Sequence, residues 1–336
     1  MLYAMLFLVS PLHCSHEPEP LRAVNFTREP NACYISAALQ SIIALEPWRE
    51  YVFTYPPHIS CSYDKDIVKA LQVFIREYTQ LSRSTKNQIN IHDFYNKTLI
   101  TKVIVTHCNF DDPWVFLTNL EEKLTSQTDC SLFKPFTFTI FQGRTITEEG
   151  VSKHSESYEI NHSITVGQQH LGKSIDLADA LYRSFIYRKF PLPQGEKILE
   201  SHLMMLPDLL WINFGQAPLF GPDWSISLPQ ELDLAPLCQR TQESTFYKLK
   251  SVIWRASVHY IAYVNYANTW YLCDDLKTAC SIPTDAVADL LKGKIESDRW
   301  GIFYPRSCFY ERIVPKQSSK TDSLTELNNA LSLLSI

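Results

Sequence analysis

The sequence predicts an α+β protein, because the spacing of its apolar residues changes from a mainly helical to a mainly strand-like period near residue 130. Up to about residue 130 the apolar residues recur three and four positions apart, the period of a helix with one buried face. From about Leu132 they alternate, most clearly in residues 136–141, as in a strand with one buried face. Helices followed by strands are typical of an α+β fold.

The first predicted helix, after residue 30, carries the candidate nucleophile. Its apolar positions are Ile35, Ala38, Leu39, Ile42 and Ile43. We expect Asn31 to cap the first turn and Pro47 to end the helix. Cys33 then lies in the first turn, where unpaired backbone N–H groups and the positive end of the helix dipole favour thiolate over thiol. The alternative is a cysteine that only packs, since free cysteine is among the most buried residue types.

Three further helices are predicted from their caps and apolar stripes. Residues 66–81 form an amphipathic helix on the lobe that carries the cysteine. Asp112 and Pro113 begin a second helix that runs to about residue 124, which we interpret as scaffold. Residues 174–185 form a third helix, with Ser174 as its expected cap.

The second half of the chain contains a predicted hairpin that places a carboxylate opposite a histidine. Residues 258–266 and 269–275 read as its two strands. In a hairpin whose loop is centred between residues 266 and 267, His259 pairs with Asp274. A three-residue loop brings Asp275 opposite His259 instead. Either carboxylate can orient an imidazole that takes a thiol proton and later protonates a leaving amine.

Composition narrows the class of protein. A chain of 336 residues with 45% apolar and 12% aromatic residues can build a substantial core. The net charge of -5, without a basic run, argues against nucleic acid as the main partner. Nine cysteines without disulfide-type spacing favour a reducing compartment, and the absence of any Cys-x-x-Cys pair argues against a structural zinc. We expect no metal and no cofactor.

The N-terminus is apolar over residues 2–9, followed by a His/Pro/Glu-rich run. Neither a lysine nor an arginine precedes this segment, and it is too short to span a bilayer. We therefore interpret residues 1–20 as a disordered or strand-like lead-in, with a cleaved signal peptide as the alternative. The expected location is intracellular, in the cytoplasm or nucleus.

Two motifs resemble the ubiquitin-specific protease family. Residues 31–42 read Asn-x-Cys-Tyr-x-Ser-Ala-x-Leu-Gln-Ser-Ile and are similar to the family's cysteine box. Residues 258–266 and 270–275 are similar to its histidine box, with Val258 for the usual glycine and Cys273 for the usual phenylalanine. Weaker matches follow in the family's order: the helix from Asp112, with Val115 at a usually acidic position, and the closing strand at residues 299–304.

The resemblance implies a papain-like cysteine protease fold, with a helical thumb, an antiparallel β palm and reduced fingers. It implies Cys33 as nucleophile, His259 as general base and Asp274 as the orienting carboxylate. Tyr260, which follows the histidine, is expected to contact the substrate, and Asp275 to point to the opposite strand face and act near the oxyanion.

The chain departs from the family at the oxyanion position. The family usually places an asparagine five residues before the cysteine, and this chain has Arg28 there. Asn31, or Asn25, is the expected substitute, together with backbone N–H groups near Cys33.

The resemblance also implies the domain organisation and the partner. We predict a catalytic domain over residues 21–315, with the thumb to about residue 130, followed by a tail over 316–336 that is a candidate amphipathic helix. The expected partner of this monomer is ubiquitin or a ubiquitin-like modifier and its conjugates, with no membrane span. Three functions remain open: a deubiquitinase, an isopeptidase for SUMO or another modifier, and an inactive modifier-binding module.

Overall fold

The computed structural model describes most of the chain. The described residues are 20–54, 65–84, 88–100, 112–124, 133–166, 174–185, 188–215, 225–239 and 244–314. The predicted C-terminal helix over 316–336 and nearly all of the lead-in lie outside these residues.

The helices of the described part lie mostly in its first third. Their bounds are α1 Cys33–Ile43, α2 Glu46–Thr54, α3 Lys65–Leu81, α4 His92–Ile100, α5 Pro113–Leu124, α6 Leu177–Phe185 and α7 Thr284–Leu290. The first five form the thumb. The predicted helices over 66–81 and from Asp112 are confirmed as α3 and α5, and the Asp112 carboxylate accepts a hydrogen bond from Trp114 N at 2.9 Å.

All strands of the described part except the first two follow α5. Their bounds are β1 Asn25–Phe26, β2 Gln88–Ile89, β3 Phe138–Glu148, β4 Val151–Asn161, β5 Ile164–Thr165, β6 Ser174–Asp176, β7 Arg188–Leu192, β8 Gly195–Met205, β9 Leu209–Asn213, β10 Ser225–Ser227, β11 Glu231–Asp233, β12 Phe246–Arg255, β13 Tyr260–Tyr266, β14 Thr269–Cys273, β15 Cys280–Ser281, β16 Ile295–Ser297 and β17 Gly301–Arg312.

Two larger sheets form the palm and the fingers. The palm has the strand order β15-β14-β13-β12-β17-β9-β5, with β11 beside β12 and β16 beside β17. It is antiparallel except where β5 joins β9. The fingers are a four-stranded antiparallel sheet in the order β4-β3-β8-β7. Helical thumb, β palm and fingers make up the α+β papain-like architecture expected from the sequence.

The palm lies between two hydrophobic cores, because successive side chains of a strand point to opposite faces. On β12, Ile253 packs against the thumb helices, whereas Trp254 packs in the second core with α6 and α7. The palm therefore fixes the thumb on one face, and this is the face that meets α1.

Helix α1 is the most buried element of the thumb. All eleven of its residues are buried, and burial of each leucine or isoleucine stabilises the fold by about 1.5–3 kcal/mol. One of its polar side chains is held on both sides: Gln40 donates to Val24 O at 2.6 Å and accepts from Tyr78 Oη at 3.0 Å. Ser251 on β12 donates to Ser41 O at 3.0 Å, which fixes the helix to the palm.

Two expectations about the ends of α1 are wrong. Ala32 is the N-cap residue, without a side-chain cap, and Asn31 lies in an exposed turn with a left-handed φ of 58°. Asparagine tolerates this conformation better than most residues, so Asn31 makes the turn rather than the cap. The helix ends at Ile43, and Pro47 stands in the first turn of α2, where its missing N–H costs little.

The β13–β14 hairpin has a different register from the predicted one. Its two-residue loop is Ala267–Asn268, both with positive φ, and Tyr266 pairs with Thr269. Ala262 therefore pairs with Cys273, and the loop centre lies one residue later than expected. His259 and Asp274 both lie just beyond the ladder. They are diagonal neighbours on one face rather than a directly opposed pair.

One further correction concerns the cap of α6. The helix begins at Leu177 and its cap is Asp176, whose carboxylate accepts from Ala178 N at 2.8 Å, whereas Ser174 lies in β6. In the fingers, β3, β4 and β8 have 11 residues each. A tight turn at Glu149 and Gly150, both with positive φ, allows β3 and β4 to pair over their full length.

Among the described residues, no helix is long and apolar enough to cross a membrane.

Candidate active site

The thiol of Cys33 faces the palm from the start of α1. Cys33 is the first residue of the helix and is 6% exposed. Helix α1 packs on β13, and the neighbouring Tyr34 meets Phe116 of α5 edge to face at 6.3 Å between ring centroids. The nucleophile candidate thus lies where the thumb and the palm meet, with its first-turn N–H groups beside it.

His259 contacts both Cys33 and Asp274, the two residues expected to form a triad with it. It immediately precedes β13 and is 4% exposed. Its Nε2 lies 3.0 Å from Asp274 Oδ1. The same ring hydrogen-bonds to Cys33. With Nε2 facing the carboxylate, Nδ1 is the nitrogen left for the thiol.

The surroundings of His259 favour the charged ring. Burial on its own lowers the pKa, but hydrogen bonds to Asp274 and Cys33 and their electrostatic attraction raise the pKa of His259 to about 9. The pKa of Asp274 is shifted in the direction that favours its charged form. Burial opposes its charge, yet the hydrogen bonds from His259 and Leu276 N hold the pKa of Asp274 below its usual value. An imidazolium beside a carboxylate is the stable state of this pair.

Asp274 is held in place by its own turn. Its Oδ1 also accepts from Leu276 N at 3.0 Å, and its backbone oxygen accepts from Lys277 N at 3.0 Å. The carboxylate is therefore pre-oriented before it meets the imidazole.

Asp275 does not point away from the site as predicted. Its Oδ1 lies 4.0 Å from His259 Nε2 and is buried without a hydrogen-bond partner. Burial raises the pKa of Asp275, and the charge of Asp274 adds to this, whereas His259 and Arg28 oppose it. The strand alternation that predicted the opposite face ends at Cys273, and the turn that follows brings both carboxylates to the ring.

A narrow cavity adjoins the thiol. Cys33, Tyr260, Asp274 and Asp275 line it, and so does Asn25. The Asn25 side-chain oxygen accepts a hydrogen bond from Ala279 N, which orients its amide. Of the two asparagines considered for the oxyanion, Asn25 is therefore beside the thiol, whereas Asn31 lies in an exposed turn.

An ionic cluster behind Tyr260 was missed by sequence reasoning. The Tyr260 hydroxyl donates to Asp112 Oδ2 at 3.4 Å, and Arg306 Nε donates to the same oxygen at 2.7 Å. Arg306 also donates to Asn213 Oδ1 at 2.8 Å. Asp112 thus joins α5 to three palm strands. The Asp-Pro helix start revealed the cap, but no local signal indicates the buried arginine that it meets.

The side chains of His259, Asp274 and Asp275 are also of the types that bind metal ions. Ligand atoms of His259, Asp274 and Asp275 lie within 4.8 Å of one another. However, the nitrogen and oxygen that would have to face the ion face each other at hydrogen-bond distance. We interpret the group as a proton-transfer set, and the absence of a metal remains a prediction.

A papain-like α+β fold with a thiol facing a histidine and a carboxylate across its cleft is the fold of a cysteine hydrolase. The family model of ubiquitin carboxyl-terminal hydrolase matches residues 24–287, which is most of the chain. The chain therefore belongs to the ubiquitin carboxyl-terminal hydrolase family, as its resemblance to ubiquitin-specific proteases predicted. A comparison with curated proteins finds no match.

Proposed function

We propose that this protein is a thiol-dependent deubiquitinase that cleaves the peptide or isopeptide bond after the C-terminal Gly-Gly of ubiquitin. One observation supports this above all. In a chain of this family, the imidazole of His259 contacts both the Cys33 thiol and the Asp274 carboxylate.

The chemistry follows from these contacts. His259 takes the thiol proton, and the Cys33 thiolate attacks the carbonyl carbon after the second glycine. The oxyanion is stabilised by first-turn N–H groups of α1. The imidazolium then protonates the leaving amine, so that a thioester remains. Water attacks this thioester with His259 as base, and the modifier leaves with a free carboxylate while the thiol is restored.

We propose Asn25 as the side-chain donor that assists the oxyanion. It lines the cavity beside the thiol, and Ala279 N holds its amide oxygen. Arg28 stands at the family's asparagine position but is exposed. Its positive charge instead acts to lower the pKa of Asp275. Loss of one oxyanion donor costs roughly 10²–10³ in turnover, so an imperfect replacement implies a slow enzyme.

The test is covalent capture by modifiers that end in propargylamide. Ubiquitin of this kind should form a stable adduct with the wild-type protein, because the alkyne stands where the scissile carbonyl binds. Cys33→Ala should form none while still binding ubiquitin. Cys280→Ala, which removes an exposed free thiol, is the matched control and should react like the wild type.

Other outcomes decide between the remaining functions. An adduct with the SUMO probe alone makes the protein an isopeptidase for that modifier. Reversible binding of ubiquitin by the wild-type protein, without any adduct, makes it an inactive binding module. An adduct that persists in Cys33→Ala contradicts the assignment of the nucleophile.

We also propose an intracellular location. All five cysteines in the described part are free thiols, as expected in a reducing compartment. Asn25, Asn96 and Asn161 lie in glycosylation sequons, so a secreted form would lose mass on treatment with an N-glycosidase. We expect no change in mass.

A further inference from the structure

The imidazole of His259 is covered by a tryptophan. The Trp300 ring stacks on it with 4.7 Å between centroids and 25° between planes. Phe303 approaches the same imidazole edge to face, at 6.4 Å and 70°. Cys33 and Asp274 meet His259 through its nitrogens, so stacking leaves both polar contacts in place. The ring is thus held by polar partners and by aromatic neighbours.

The backbone fixes Trp300 where it stacks. It is the last residue of the turn between β16 and β17, and Ser297 pairs with Gly301 across that turn. Trp300 N donates to Ser297 Oγ at 3.4 Å. Gly301 has a φ of 75°, a conformation that glycine adopts without strain. The strand β17 that follows is an interior strand of the palm, so the turn is anchored to the rigid part of the fold.

Arg299 reinforces the stack. Its guanidinium lies 4.8 Å from the centroid of the Trp300 ring. Such a contact stabilises by about 0.5–1 kcal/mol at an exposed site. Trp300 therefore has a partner besides His259 that holds the indole in place.

We propose that Trp300 is a positioning residue for His259, a role that rests on the proposed function. The imidazole must present one nitrogen to Asp274 and the other to Cys33 at the same time. A flat indole against its face limits rotation of the ring out of that plane. It also keeps water from the His259–Asp274 hydrogen bond, which is stronger in the drier surroundings.

A packing role and a positioning role for Trp300 predict different effects of its replacement. If Trp300 contributes only to packing, its replacement lowers stability but leaves the reactivity of the folded enzyme unchanged. If it positions the imidazole, the folded variant loses kcat with little change in KM. A flat ring should then restore the loss, whereas an aliphatic side chain should not.

The experiment compares Trp300→Leu and Trp300→Phe with the wild type. Turnover of ubiquitin carrying a fluorogenic C-terminal amide gives kcat and KM. We expect Trp300→Leu to lose on the order of 10- to 100-fold in kcat with KM within about 2-fold, as for a misplaced catalytic group. Trp300→Phe should recover most of the loss. Tyr182→Ala, which removes an exposed aromatic residue on α6, is the control and should match the wild type.

Alkylation of Cys33 by iodoacetamide separates this inference from the proposed function, because it needs no modifier. We expect the wild type to react fastest, His259→Ala slowest and Trp300→Leu in between. A wild type that reacts no faster than His259→Ala overturns the proposed function and this inference with it. A clear dependence on His259, combined with a Trp300→Leu variant that equals the wild type in alkylation and in kcat, overturns the positioning role alone.

Discussion

At the scale of single residues, the two neighbouring carboxylates beside His259 differ in how they are held. Asp274 accepts from both the ring and a backbone N–H, whereas Asp275 Oδ1 is buried without a hydrogen-bond partner. A charged carboxylate needs such donors when it is removed from water. Asp274 is therefore suited to hold the imidazolium.

We predict that Asp274→Asn costs far more turnover than Asp275→Asn. The asparagine keeps the shape but removes the charge that stabilises the imidazolium, and a comparable change in a serine triad costs about 10⁴ in kcat. Steady-state turnover of a ubiquitin amide by the two variants is the measurement. If Asp275→Asn loses most of its turnover and Asp274→Asn retains most of it, Asp275 is the carboxylate that stabilises the imidazolium.

A second prediction concerns pH and stability. The pKa of His259 in the folded protein is about 9, above the usual 6.5. The folded state therefore holds a proton that the unfolded state has lost, and the free energy of unfolding falls as pH rises through this interval. The contribution is complete below about pH 6.5 and is lost by about pH 9.

Urea unfolding at several pH values tests this sign. The fall in the free energy of unfolding between pH 6.5 and 9 should be clear in the wild type and smaller in His259→Gln. Equal slopes in the two proteins would show that His259 is not the group responsible.

At the scale of elements, the β13–β14 hairpin sets the geometry of the site. Its two-residue loop requires positive φ at both central positions. Asn268 tolerates this well, whereas Ala267, with φ 48°, does not. The strain is local, since the strands beside the loop pair regularly from Tyr266 to Ala262.

We predict that Ala267→Gly stabilises the protein. Glycine removes the left-handed strain of about 1–2 kcal/mol but adds freedom to the unfolded chain, which leaves a net gain of roughly 0.5–1 kcal/mol. The midpoint of urea unfolding should rise. Ala178→Gly, on the exposed face of helix α6, serves as the control and should lower it, because its φ needs no glycine. A lower midpoint for Ala267→Gly would contradict the strain.

At the scale of the whole molecule, the thumb and the palm are joined by more than apolar packing. Asp112 at the start of α5 forms an ion pair with Arg306 at 2.7 Å, and Arg306 is 4% exposed. Tyr260, next to His259, donates to the same carboxylate. This cluster therefore connects the cleft to the junction of the two lobes.

We predict that Asp112→Ala destabilises the protein by about 3 kcal/mol, because it leaves a buried guanidinium without its charge partner. Asp289→Ala is the control, since it breaks an exposed pair with Lys292 and should cost less than about 1 kcal/mol. Urea unfolding of both variants is the measurement. A loss no larger for Asp112→Ala than for the control would show that the cluster contributes little.

The sequence by itself determined the elements and the candidate nucleophile. Periodicity predicted α3 and α5 nearly to the residue, and the change to alternation predicted the start of the sheets. These properties are local, because a helix or strand is encoded by residues within a few turns of one another. The cysteine and histidine boxes likewise indicated Cys33 and His259 as candidates from short runs of sequence.

Only the tertiary structure decided how the site is assembled. A one-residue shift in the loop centre changed the register, since the pairing depends on the φ angles of Ala267 and Asn268. The hydrogen bond from Ala279 N to Asn25, and the stacking of Trp300 on His259, are contacts between segments far apart in sequence. No periodicity encodes such contacts. They follow from the order of the strands in the palm and from the packing of the thumb on it, which bring together side chains that have no local relation.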